Sequence, residues 1–97
     1  MAAQGSTTID FGPYPGDTNI TLAITGQSEI EADALVDAWL TPAATADHSV
    51  DEHVVDGPDI FAGAVVAGVG FTIYGRARTD RAYGLWTVSW VWNNPPA

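Results

Sequence analysis

The sequence predicts an all-β fold: a single-domain sandwich or flattened barrel of about seven short antiparallel strands, with Greek-key or jelly-roll-like connections. Three observations lead there. Apolar residues recur at period two over much of the chain. Gly, Pro and Asp break that pattern about every eight to twelve residues. No stretch alternates strand with helix as a parallel βαβ fold would. Ninety-seven residues can build one core but not two, so residues 1–97 are read as one domain with terminal arms at 1–6 and 94–97.

The first strand is expected over 7–11 and is closed by GPYPGD, whose Pro and Gly residues make a turn-rich connection. Residues 19–25 alternate cleanly, with Ile20, Leu22 and Ile24 on one face and Asn19, Thr21, Ala23 and Thr25 on the other. In SEIEADALVDAWL, Ser28 and Glu31 have the spacing of a helix capping box. A helix there would set Asp33 and Asp37 beside Ile30, Ala34 and Ala38, so the segment is read as a turn leading into a strand over 34–41. Beyond Pro42 and the stretch ATADHSVDEH, His53 to Asp56 is taken as a short strand, followed by a Gly-Pro turn and a strand over 60–67.

The run IFAGAVVAGVGFTIYG is apolar on both faces, as in strands covered on both sides or packed in an interface. Gly68 and Gly70, flanking Val69, suggest a tight corner or bulge. A strand over 71–77, a polar hairpin tip RARTDRAY and a last strand over 84–93 complete the set. In that last strand Trp86, Val88, Trp90 and Trp92 share one face, and the Pro residues of NNPPA end the ladder.

Composition excludes several functions. The chain is 46% hydrophobic with four Trp, which argues against disorder. Without cysteine it has no disulfide, thiolate nucleophile or thiolate metal site. No apolar run reaches the length of a membrane span, and MAAQGSTTID lacks the basic start and apolar centre of a signal peptide, so a soluble protein is expected. Twelve acids face three Arg and no Lys, a net charge of −9 that opposes binding to nucleic acid or to an anionic membrane. Eleven of the acids lie at or before Asp59, whereas Arg76, Arg78 and Arg81 cluster in one tip. That tip is a solvated turn or reaches the acidic surface of a neighbouring copy.

ATADHSVDEH holds both histidines. Asp47, His48, Asp51, Glu52 and His53 have the chemistry of a zinc, iron or manganese site. However, a five-residue separation of the imidazoles suits neither one helix face nor one strand face. Ser49 with Glu52 three residues later is a capping box, and Asp47 just before it suits an Asx turn. The stretch is therefore read as a structural loop built from Asp47, His48, Ser49, Glu52 and His53, with no metal, no cofactor and no catalytic residue assigned. Ser28, Ser49 and Ser89 lack a nucleophile elbow, and GAVVAGVG is followed by a strand and no Lys, unlike a phosphate cradle. Trp86, Trp90, Trp92 and Trp39, with Phe61, Arg76, Arg78 and Arg81, are the candidates for core and subunit interface. Exposed Trp, with Tyr74 and Tyr83, as a carbohydrate platform is the alternative.

TIDFGPYPG, TLAITGQ, VDAWLTP, ATADHSVDEH, FAGAVVAGVGFTIYG and GLWTVSWVWN together resemble a family of small, roughly hundred-residue virion-associated structural proteins of tailed bacteriophages. The resemblance runs from Thr8 to Asn93. It implies a non-enzymatic virion component whose partner is a major capsid protein or another virion protein. The expectation taken from it is a capsid decoration or cement protein on the outer shell, as a homo-oligomer with a trimer favoured. A tail adaptor or fibre-base component is the runner-up.

Overall fold

A computed structural model describes residues 2–78 and 81–95. Among these are six strands and one short helix: β1 (Ala2–Asp10), β2 (Asn19–Ile24), β3 (Leu35–Leu40), α1 (Val50–Asp56), β4 (Asp59–Val66), β5 (Gly70–Arg76) and β6 (Leu85–Asn93). The fold is an all-β sandwich of two antiparallel three-stranded sheets, β1-β6-β3 and β2-β5-β4. Strands β1 and β3 flank β6 in one sheet, and β2 and β4 flank β5 in the other. The segment β5–β6 thus forms the centre of both sheets.

Among the described strands the β4–β5 connection alone is a hairpin within one sheet; the other connections cross between sheets. Three of the crossings, 11–18, 41–58 and 77–84, meet at one corner. Phe11 N–H donates to the Gly84 carbonyl, Gly84 N–H to the Gly12 carbonyl, and Asp17 bridges to Ala82. The opposite end is closed by the loop 25–34 against the β4–β5 turn, through Gln27 N–H to the Val69 carbonyl and Gly68 N–H to that of Ile30.

Alternation decides which residues fill the sandwich. Ile9, Ala38, Phe71, Ile73, Trp86, Val88 and Trp92 point inward and are buried, with Ile20, Leu22, Ile24, Val36 and Leu40 packed against them. The alternating face of residues 19–25 is therefore the core face, as its pattern predicts. Phe11 and Ile30 extend the same core from the two loop-rich ends.

The structure corrects the expected elements at several points. There are six strands, because residues 53–56 belong to α1 and not to a strand. Residues 2–6 are no arm: they are the first part of β1, paired from Ala2 opposite Asn93 to Asp10 opposite Leu85. At the other terminus Asn94 is buried and tied down, its side chain accepting from Glu31 N–H and donating to the Glu29 carbonyl. The irregularity of β4 falls between Gly63 and Val66, with Ala64 at φ 52°, whereas Gly68 lies in the hairpin turn. The turn expected at residues 28–33 is there, with Ile30 N–H bonded to the Gln27 carbonyl and Ala34 N–H to the Glu31 carbonyl.

Candidate functional site

The stretch 44–53 docks on the corner where the three crossings meet. Thr45 organises its first part. The Thr45 hydroxyl accepts from Asp47 N–H and His48 N–H and donates to the Leu85 carbonyl at 2.8 Å. The Asx turn expected of Asp47 is thus replaced by a threonine-centred turn. Asp47 instead reaches β6, where its carboxylate accepts from Leu85 N–H at 2.8 Å. Gly84 makes room for this contact: it sits at φ 73°, and a Cβ there would lie 2.7 Å from the Asp47 side chain.

Ser49 is the N-cap of α1, and the expected capping box is complete. Glu52 N–H donates to the Ser49 hydroxyl, and Ser49 N–H to one Glu52 carboxylate oxygen, both at 3.2 Å. The other Glu52 oxygen meets His48 Nδ1 at 2.9 Å. These two donors, the His48 ring first and then the Ser49 N–H, hold the Glu52 carboxyl below its ordinary value of 4.5.

Both histidines are buried and fully engaged. His48 Nε2–H donates to the Tyr83 carbonyl at 2.6 Å, while its Nδ1 faces Glu52. His53 Nδ1–H donates to the Ser49 carbonyl at 2.7 Å, and its Nε2 accepts from Thr87 N–H at 3.0 Å, which fixes the neutral tautomer. Trp86 lies between the rings. His48 is stacked on it at 3.7 Å between centroids, and His53 meets it edge-on at 5.0 Å. The Trp86 indole N–H donates to the same Tyr83 carbonyl as His48.

A groove of about 290 Å³ beside this cluster is lined by His48, Glu52, Asp56, Arg81, Ala82, Tyr83 and Trp86. The polar groups of His48, Glu52, Arg81 and Trp86 already have partners. Arg81 donates to the Gly16 carbonyl, and all four imidazole nitrogens face protein atoms. No group of three or more His, Asp or Glu among the described residues converges as a metal set would. The arrangement is a clasp that fastens α1 to β6 and to the 77–84 crossing.

The remaining candidates separate into core and surface. Trp86 and Trp92 are core and not interface, because the aromatic face of β6 is the inner one; Trp92 N–H donates to Gln27 Oε1. Trp90 is half-buried against Gly5 and Phe71. Trp39 and Phe61 alternate outward and are 46% and 49% exposed, as interface residues would be. Arg76 and Arg78 both pair with Asp59 of their own chain, and Arg76 lies 5.4 Å above the Phe61 ring. Thr79 and Asp80 of the tip lie outside the described residues.

No protein-family model, curated protein or solved structure matches this chain. The surface must therefore be read on its own chemistry. Beyond the clasp, its prominent feature is exposed apolar side chains on three sites. On α1 these are Val50, Val54 and Val55; on the outer face of the β2-β5-β4 sheet, Phe61 and Tyr74; on the outer face of the β1-β6-β3 sheet, Trp39 and Leu35. Thr45 and the valine face of α1 are the site residues that the sequence pattern did not single out.

Proposed function

We propose that this chain is a virion structural protein: a non-enzymatic decoration or cement protein that binds the exterior of a phage capsid as a homo-oligomer. The observation that carries the reading is the outward valine face of α1. A seven-residue helix in a strongly acidic chain turns Val54 and Val55 to solvent at 61% and 69% exposure, while its polar residues Ser49, Glu52 and His53 are engaged in fastening it to the sheet. Such a helix is rigidly presented yet lacks an apolar partner within its own chain, which suits a docking surface better than a catalytic one.

The family resemblance of the sequence supplies the context of a phage particle, and the charge supports an outward position. A lysine-free chain at −9 is repelled by packaged DNA. Exposed apolar residues on α1 and on both sheet faces provide for contacts to shell subunits and between copies.

Co-sedimentation with undecorated capsids tests this. The native chain pelleting with shells, and a Val54→Asp, Val55→Asp double variant of unchanged circular dichroism remaining in the supernatant, is the expected result. Failure of the native chain to pellet at micromolar concentration overturns it.

A further inference from the structure

We infer that the outer face of the β1-β6-β3 sheet carries a binding site for a neutral saccharide, centred on Trp39. This does not rest on the capsid reading, and the two are tested separately.

The site is an open recess of about 360 Å³ lined by Gln4, Gly5, Ser6, Trp39, Ser89 and Trp90. Strand register builds its floor. Ser6 lies opposite Ser89 on one side of β6, and Trp39 lies opposite Ser89 on the other, so the row Ser6, Ser89, Trp39 runs across the sheet with all three side chains on the outer face. Gln4 adds an amide two residues along the same face of β1. Gly5, between Gln4 and Ser6, contributes backbone to the floor; its hydrogen points to the inner face, where the Trp90 indole lies and a Cβ would come within 2.6 Å of it.

Two features point to a sugar. The first is a donor without an acceptor. Trp86 and Trp92 give their indole N–H groups to the Tyr83 carbonyl and to Gln27. Trp39, whose indole walls the recess, has no hydrogen-bond partner among the described residues, whereas Trp90 lends only its strand segment to the floor, its ring lying on the inner face against Phe71. The second is the absence of charge from the lining of a chain with net charge −9. Hydroxyl, amide and indole N–H groups around a half-exposed indole face match a pyranose ring, which presents hydroxyls at its rim and C–H groups on its face. Asp37 shares the outer face of β3 with Trp39 two residues away, and it disfavours anionic sugars. The ligand class is thus a neutral oligosaccharide, stacked on Trp39 and hydrogen-bonded to Ser6 and Gln4, with the Ser89 hydroxyl held by that of Thr41.

The test is titration of the ¹⁵N-labelled full chain with cellotetraose, maltotetraose and chitotetraose, with sialyllactose as the anionic comparison. The four indole N–H resonances report separately. The expected result is saturable shifts of the Trp39 resonance by at least one neutral tetrasaccharide, with those of Trp86, Trp90 and Trp92 unmoved and sialyllactose inert. Trp39→Ala should weaken that binding about tenfold or more, the loss of one stacking contact, and Ser6→Ala about threefold. The inference is overturned if none of the three neutral sugars shifts the Trp39 resonance at millimolar concentration. It is equally overturned if binding persists undiminished in a folded Trp39→Ala variant, or if sialyllactose binds as well as they do.

Discussion

The imidazole of His48 lies flat on the indole of Trp86, with ring centroids 3.7 Å apart and planes 16° from parallel. The contact joins a loop residue to the first inward position of the central strand, and the Tyr83 carbonyl accepts hydrogen bonds from both rings. What looks like a cluster of reactive residues in the sequence is a fastening.

His48→Ala should therefore destabilise the fold by about 1–3 kcal/mol, because Glu52 and the Tyr83 carbonyl each lose a partner at a buried ring. His53→Ala should cost about 2–4 kcal/mol, since it opens a cavity and leaves Thr87 N–H without an acceptor. Urea unfolding followed by Trp emission measures both. A loss below about 0.5 kcal/mol in either would remove the clasp from the account.

Glu52 gives the clasp an acid limit. Its carboxyl titrates below the ordinary 4.5 in the folded chain, so its contribution is present above that value and is lost as the pH falls through the lowered one. Melting temperature should fall more steeply on acidification below pH 4.5 in the native chain than in Glu52→Gln. Parallel curves for the two proteins would show that Glu52 does not couple to folding. Ser49→Ala removes the other half of the box and should cost about 1 kcal/mol at neutral pH.

Strand β1 is an open edge, and among the twelve acids only Asp10 lies on β1 or β2. An edge strand without Lys, Pro or a bulge is a template for pairing, and here it is also where two copies of a −9 chain repel least. Self-association along β1 is expected in sedimentation equilibrium at tens of micromolar. Thr8→Glu, an exposed site on that strand, should shift the equilibrium to monomer. An unchanged mass distribution in Thr8→Glu would place the seam elsewhere.

How far the sequence disclosed this structure depends on whether side chains or backbone determine each element. Residues 19–24 and 85–93 are visible because large apolar side chains alternate, and α1 is announced at its start by Ser49 and Glu52. Residues 2–6 are not visible. Ala2, Ala3, Gln4, Gly5 and Ser6 carry no alternating apolar signal, and they form strand by pairing with β6, where Gly5 accepts the Trp90 ring. The tail of α1 is misread because Val54 and Val55 in HVVD suit a short strand, while the capping box that makes them helical lies upstream. Alternation places Trp86, Trp90 and Trp92 together but is silent on whether that face is core or interface, and tertiary packing made it core. The pairing of Arg76 and Arg78 with Asp59 depends on the β4–β5 register, which no local pattern encodes.

The central claim, a structural role on the outside of a capsid, is tested most directly by copy number per particle, measured by quantitative mass spectrometry of purified virions. The account predicts copies in the hundreds, in fixed ratio to the major capsid protein, on the order of a whole shell lattice. About a dozen copies or fewer would place the chain in the tail or collar, and none would take it out of the virion; either result contradicts the account.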